Sequence, residues 1–266
     1  LPLSVKKSKV YQLKAHEVPD SSRTAKGLPL VNLISLDPGE QVTSMLAVPD
    51  YNGEYLVMAT QHGKIKRTQL SEYSQVRSNG LIAIGLEEGD VLGWVKISNG
   101  DEDILMTTVQ GQTIRFKQSD VRPMGRPATG VNGVNLSDGD LVISMQLATP
   151  NDDLLVVTAR GFGKRTRLDE YPTKGRAGGG VITIKLRPED EVAGAVVVND
   201  RSLLTFITVA GMVMRTSADE ISQLSRATQG VTVIAPNSGD RVAALSVEEP
   251  EEDGGEPTTI ISPNGL

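Results

Sequence analysis

The chain has 266 residues, 38% of them hydrophobic, with a formal charge of −6 and no cysteine. That apolar content suffices for a sizeable core. The missing cysteines exclude a disulfide framework or thiolate metal site, and the acidic balance excludes a uniformly cationic nucleic-acid binder. No apolar run approaches the roughly 18 residues that cross a bilayer, and "LPLSVKKSKV" has neither a starting Met nor a signal-type apolar segment. The sequence therefore reads as a soluble, cytoplasmic piece of something longer.

In chain order, "KSKVYQLKAHEVPDSSRTAKG" reads as a turn at Ser8, a basic strand from Lys9 and a closing glycine at Gly27. Four longer segments repeat that plan: "LVMATQHGKIKRTQLSEY", "ILMTTVQGQTIRFKQSDV", "LVVTARGFGKRTRLDEY" and "TFITVAGMVMRTSADEI". Each carries a turn glycine (Gly63, Gly111, Gly161, Gly211) and, four residues later, an arginine (Arg67, Arg115, Arg165, Arg215). Closing glycines follow at Gly80, Gly130, Gly180 and Gly230, and acidic turns place Glu40, Asp90, Asp140, Asp190 and Asp240 at the same 50-residue spacing. "TTIISPNGL" opens a further unit.

Runs such as "LLVVTA", "GVITIKL" and "VAGAVVV" are short, rich in β-branched residues and bounded by turn formers, so each unit holds about four strands. "LSEYSQV" and "ADEISQL" are too short for helices and read as loop. Units of about 50 residues (1–50, 51–100, 101–150, 151–200, 201–250 and a partial 251–266) cannot each bury both faces alone. They predict one all-β domain over 1–266: a six-bladed propeller-like disc of four-stranded blades, with five full units and part of a sixth. A β-solenoid is the alternative, but its repeats are usually shorter.

Charge follows the repeat. The windows 8–27, 63–80, 111–130, 161–180 and 211–230 hold 19 of the 27 basic residues and 8 of the 33 acidic ones, a net +11, which leaves −17 on the remainder. Residues in one register recur at one height around a disc, so these windows predict a positive rim suited to duplex DNA. Glycines beside the cations would let backbone N–H groups approach phosphates. With three Phe, one Trp and five Tyr in the chain, base stacking on single strands is poorly supplied. The expected contacts are Lys9, Arg23, Lys26, Lys64, Lys66, Arg67, Arg77, Arg115, Lys117, Arg122, Arg126, Lys164, Arg165, Arg167, Lys174, Arg176, Arg215 and Arg226. The once-per-unit arginines (Arg67, Arg115, Arg165, Arg215) have a second reading, as internal anchors bonding loop carbonyls. The run "EEPEEDGGE" reads as a solvated linker or a competitor for the rim.

No catalytic or metal constellation is visible. "GFGKRT" lacks the first Walker glycine, whose place is taken by Thr158. "GRAGGG" lacks a strand-turn-helix setting for a dinucleotide. His16 and His62 lie in different units without partner ligands, and Asp169 with Glu170 has no nucleophile beside it.

The segments "SRTAKG" (22–27), "RPMGRPATGV" (122–131), "EYPTKGRAGGGV" (170–181) and "SRATQGV" (225–231), with the TxxGxxxR units, closely resemble the C-terminal domain family of the DNA gyrase A subunit. The resemblance covers almost the whole chain. It implies a β-pinwheel, a propeller-like disc with altered strand order, that bends and wraps DNA around a basic perimeter so that the holoenzyme introduces negative supercoils. It also implies as partners duplex DNA, the gyrase A catalytic core and the gyrase B subunit in an A2B2 assembly. The active-site tyrosine, ATP and magnesium would lie elsewhere, leaving no cofactor in this domain, in a bacterial cytoplasm or a plastid. The family's wrapping box QRRGGKG has only an imperfect local match, Lys174 to Gly180. The related topoisomerase IV domain, which lacks the box, is the runner-up, and a protein-interaction propeller is the alternative from another class.

Overall fold

The computed structural model describes residues 2–6, 9–20, 22, 25–36, 42–148 and 151–248. The expected partial sixth unit at 251–266, Ser8, Arg23 and Glu40 lie outside them.

Strands arise wherever β-branched and aliphatic runs meet turn formers. The first unit contributes β1 (Pro2–Lys6), β2 (Lys9–Gln12) and β3 (Ser44–Ala47). The second contributes β4 (Tyr55–Thr60), β5 (Lys64–Gln69), a two-residue β6 (Leu81–Ile82) and β7 (Leu92–Ser98). The third repeats this as β8 (Asp103–Thr108), β9 (Gln112–Lys117), β10 (Val131–Asn132) and β11 (Val142–Ala148). The fourth supplies β12 (Asp153–Thr158), β13 (Phe162–Arg167), β14 (Val181–Ile182) and β15 (Val192–Val198). The fifth supplies β16 (Leu203–Thr208), β17 (Val213–Ser217), β18 (Val231–Thr232) and β19 (Val242–Glu248). The segments read as loop at 70–73 and 218–220 each close into a single 3₁₀ turn.

These strands build five antiparallel sheets, and their order departs from four consecutive strands per blade. Each sheet has a hairpin at its centre and the unit's last strand at the inner edge. The outer edge is filled by the two-residue strand of the following unit: β6 on β2, β10 on β5, β14 on β9, β18 on β13. The arrangement is propeller-like with a pinwheel's exchanged strand. Among the described residues the fifth sheet has three strands, β17-β16-β19. In the first unit Gly27 closes no strand; residues 30–32 form a 3₁₀ turn with Val31 exposed. No earlier sheet among the described residues offers that segment an edge.

The core is not in the sheets but between them. Val57, Ala59 and Ile65 of the second unit pack with Ile104, Met106 and Phe116 of the third, while Leu56 and Met58, on the opposite face, pack with Val10 and Val48 of the first. The same alternation joins units three to four and four to five. Hence β8 and β12 are buried at every position, since each face meets a neighbouring blade.

The turn markers are structural. The threonine that opens each hairpin turn accepts the backbone N–H four residues on, Lys64 to Thr60 and Phe162 to Thr158 among them. The acidic residue 30 to 32 positions after that threonine pins the same turn from outside. Asp140 accepts N–H bonds from Gln110 (3.0 Å) and Leu141 (2.9 Å); Asp90, Asp190 and Asp240 each bind a turn residue and their own successor likewise. Asp140 is buried, so Asp140→Ala leaves two donors without an acceptor. It is expected to cost about 1–3 kcal/mol in denaturation experiments, and Asp140→Asn, which keeps an acceptor, less.

Candidate nucleic-acid interface

After its hairpin and 3₁₀ turn, each unit runs along the perimeter and over the preceding blade. The stretch enters by a backbone bond, Met124 N–H to Arg67 O (2.9 Å), Lys174 to Arg115 O (2.9 Å) or Leu224 to Arg165 O (2.8 Å), and leaves as the exchanged strand. Between these staples, residues 124–130, 174–180 and 224–230 form rim loops, with a shorter counterpart ending at Gly80. Equivalent arginines sit in the three longer loops and reach back across the blade junction. Arg126 donates to Glu72 O (3.0 Å), Arg176 to Asp120 O (3.2 Å) and Asn132 O (3.0 Å), and Arg226 to Ile182 O (3.1 Å). Each guanidinium is half-buried and retains further donors beyond these bonds.

The sequence-predicted cations among the described residues separate into five environments. Lys26, Arg77, Arg122 and Lys174 are exposed, and their side chains have no partner among the described residues. Arg126, Arg176 and Arg226 bridge rim junctions. Lys64, Lys117, Arg167 and Arg215 lie at the surface in ion pairs, with Glu87 (2.9 Å), Asp103 (2.9 Å), Asp169 (2.6 Å) and Glu248 (2.5 Å). The exposed pairs, Arg167 with Asp169 and Arg215 with Glu248, contribute little and exchange readily for phosphate, whereas the Asp103 partner of Lys117 is buried. Lys9 and Arg67 are half-buried, Arg67 with its guanidinium 4.7 Å from the Tyr55 ring centre.

The fifth environment corrects the sequence reading: Lys66, Lys164 and Arg165 are buried, and Arg115 is half-buried with its guanidinium turned inward. The Lys66 ammonium donates to Ala83 O (2.7 Å) and to Arg126 O. Lys164 donates to Ser225 O (2.5 Å), Arg226 O (2.6 Å) and Thr166 Oγ1 (3.3 Å). Both are fully buried, because both faces of a blade are covered and the second hairpin strand lies beneath the next unit's rim loop. Burial pulls each ammonium down to about pKa 8, against the attraction of Glu72 or Glu170 and with the repulsion of Arg126 or Arg226. Arg165 is buried between Asp153 (3.2 Å), Asp200 (2.5 Å) and Ile221 O (2.9 Å). Arg115 donates to Asp103 (2.8 Å) and Leu168 O (2.6 Å). Burial raises the Asp103 carboxyl, but bonds from Lys117 and Arg115 outweigh it and hold the group below the usual carboxylate range. Arg115 and Arg165 thus bond loop carbonyls as the internal-anchor reading expects, whereas the Arg67 Nε is buried without a hydrogen-bond partner among the described residues and Arg215 is exposed.

The closing glycines differ from their loop neighbours: among the described residues Gly125, Gly175 and Gly179 have open space where a Cβ would stand, but Gly130 and Gly180 do not. A Cβ on Gly180 would stand 2.7 Å from Thr113 O of the preceding unit. Neighbouring backbone therefore fills the space that the sequence suggested for a phosphate.

Two cations outside the sequence-predicted set lie against the 224–230 loop. Lys185 binds the 224–230 loop through its backbone N–H to Thr228 O (2.9 Å). Arg187 stacks 3.5 Å over the Phe162 ring and donates to Gln229 O (3.0 Å). Both follow the closing glycine, so they fell in the acidic half of the repeat; the exchanged strand carries them back to the rim. Among the described residues no cluster of His, Asp and Glu could hold a metal, and no helix is long and apolar enough to cross a membrane.

The family model described as "DNA gyrase C-terminal domain, beta-propeller" matches residues 6–49, 54–99, 102–149, 152–199 and 203–247. The chain is 45% identical over 128 residues to the DNA gyrase A subunit of Halalkalibacterium halodurans, covering 48% of this chain and 15% of that protein. It is 47% identical over 129 residues to the DNA gyrase A subunit of Staphylococcus aureus, covering 48% and 14%. The matches thus span about one seventh of these relatives. Among solved structures, a C-terminal domain of DNA topoisomerase IV superposes with a TM-score of 0.87 at 26% identity, over 93% of this chain and 79% of that one. A DNA gyrase A C-terminal domain shares the fold, with a TM-score of 0.79 at 24% identity over 92% and 81%. With five of its repeats matched in register and the pinwheel's exchanged strands in place, the chain belongs to the family of DNA gyrase C-terminal β-propeller domains.

Proposed function

We propose that this chain binds and bends duplex DNA along its rim with little sequence preference, as the wrapping domain of a type II topoisomerase A subunit. The observation that carries it is the recurrence, at successive blade junctions, of a rim loop with cations on or beside it: Arg77, then Arg122 and Arg126, Lys174 and Arg176, and Arg226 with Lys185 and Arg187. Equivalent loops at one height give a curved positive track that meets phosphates while offering no recognition helix for bases. Bending 20–30 base pairs by 40–90° costs on the order of 1–6 kcal/mol, which several such contacts offset.

The holoenzyme is DNA gyrase, in which wrapped DNA is presented to the A-subunit core while ATP and magnesium act elsewhere in an assembly with the B subunit. This domain carries no catalytic centre and no cofactor, and the assembly works in a bacterial cytoplasm. Gyrase A relatives at 45–47% identity support gyrase; the topoisomerase IV superposition supports the second reading. Relaxed plasmid nicked and religated in the presence of the protein separates a wrapper, which changes linking number, from a protein adaptor, which does not.

Binding should follow salt. With about six to eight phosphates neutralised, log K is expected to fall with log salt at a slope of about −5 to −7. The double variant Arg122→Ala/Lys174→Ala should weaken binding to all sequences alike and flatten that slope by about two units. The melting temperature should be unchanged, since neither side chain has an internal partner among the described residues. Fluorescence anisotropy at several salt concentrations measures both effects; salt-independent affinity would exclude the rim.

A further inference from the structure

The inner strands β3, β7, β11, β15 and β19 surround a central cavity of about 590 Å³. Half of its lining residues are Val, Ala, Leu or Ile, joined by Trp94, the hydroxyls of Thr43, Ser44, Ser144 and Ser246 and the amides of Gln146 and Asn199. One cation lines it, Lys96 on β7. Cross-strand registers place Leu46, Gln146, Val196 and Ser246 at the equivalent level of the other inner strands, so the charge belongs to this blade and not to the repeat.

The ammonium of Lys96 makes no hydrogen bond or ion pair among the described residues. Asp152, the one carboxylate on the cavity wall, has a partner of its own and exerts no pull on it. Burial alone pulls Lys96 down to about pKa 8, with no opposing charge offsetting the cost. Lys96 is half-buried on the cavity wall, and an ammonium partly withdrawn from bulk water normally has a counter-charge nearby. Thr43, Ser44 and Ser246 likewise have hydroxyls without partners among the described residues. Inner-edge strands add alternate backbone N–H groups that no neighbouring strand takes. Ser144, by contrast, donates to Ala195 O (2.5 Å) and is committed to holding β11 against β15.

From this unmatched charge in a hydroxyl-bearing cavity, we propose that the central cavity is a binding site for a small oxyanion, held by the Lys96 ammonium. A tetrahedral phosphate or sulfate and a planar carboxylate share the required chemistry. The cavity lies at the hub, remote from the rim loops, so the site is separate from the proposed DNA track. An anion there ties β7 to its neighbours at the disc centre.

The test follows the Lys96 side chain itself. In protein labelled with ¹³C at lysine, the Lys96 Cε resonance is assigned by its loss in Lys96→Met. Its titration is then recorded in chloride, inorganic phosphate and acetate at equal ionic strength. Phosphate at ten times its Kd should raise the midpoint by about one pH unit; a rise in acetate alone would identify a carboxylate site. Lys96→Met should also lose the part of the phosphate-induced melting shift that survives Arg122→Ala/Lys174→Ala, while binding DNA as the wild type does. Equal Lys96 midpoints in all three salts would overturn the proposal. So would a Lys96→Met protein that phosphate stabilises as much as the wild type.

Discussion

Gly161→Ala is expected to destabilise the protein by about 3–5 kcal/mol, whereas Gly211→Ala, at the equivalent turn one unit later, should cost only about 1–2 kcal/mol. Both residues have the same left-handed backbone, φ +83° and +86°, so both substitutions carry the same conformational penalty. They differ in what lies above the turn. At Gly161 a new Cβ would fall 2.0 Å from Ile234 O, because the fifth unit's chain passes directly over it and the N–H groups of Val233 and Ile234 bind the Gly161 carbonyl. No described residue stands within 4 Å of the corresponding point on Gly211. The difference between the two losses therefore reports the blade junction alone, and urea denaturation of both variants measures it. Equal losses would mean that the fourth and fifth blades are not locked through this turn. A large loss confined to Gly161→Ala would identify backbone crossing as the reason that glycine recurs in the repeat.

That recurrence shows what was and was not legible in the sequence. Glycine, aspartate and arginine at fixed intervals marked a propeller of repeated units, because each unit meets its neighbours in one geometry. They did not reveal the strand exchange. Val131–Asn132 and Val181–Ile182 are two-residue strands whose pairing partners lie more than 65 positions earlier, at Ile65–Lys64 and Thr113–Gln112; no local pattern encodes such a pairing. The charge asymmetry pointed to the rim, and the rim loops do carry cations. A count by window, however, could not separate Lys174, open to solvent, from Lys164, whose three protons all go to internal acceptors. Alternation along a strand distinguishes inside from outside only when one face is wet. In "FGKRTR" both faces are covered up to Thr166, and only Arg167 emerges. Lys185 and Arg187 were missed for the complementary reason: acidic neighbours in sequence are replaced by a basic loop in space.

Lys164 is expected to make stability rise with pH across a range where most proteins lose it. Burial lowers its folded-state pKa to about 8, from the ordinary lysine value of 10.5. Below pH 8 the group is charged in both states and the fold bears the full desolvation cost. Between about 8 and 10.5 the unfolded chain retains a proton that the folded one has released, so stability climbs by at most about 1.4 kcal/mol per pH unit for each such group. Lys66, in the equivalent position two blades away, adds a second contribution of the same sign. Tyr73 and Tyr171 set the upper limit: burial keeps both phenols neutral to about 12, while in the unfolded chain they ionise near 10 and pull stability down above that pH. Wild type and Lys164→Met should therefore diverge between pH 7.5 and 9.5, the wild type gaining about 1–2 kcal/mol on the variant. Denaturation at three pH values in that interval reads the difference, which cancels the effect of overall charge. A constant gap would mean that the ammonium reaches solvent and does not anchor the loop. The same variant should accelerate amide exchange in residues 224–230, whose carbonyls it releases, while leaving the salt dependence of DNA binding at its wild-type slope. On the proposed binding mode Lys164 would displace no counterion from DNA; its bonds hold in place the loop that carries Arg226.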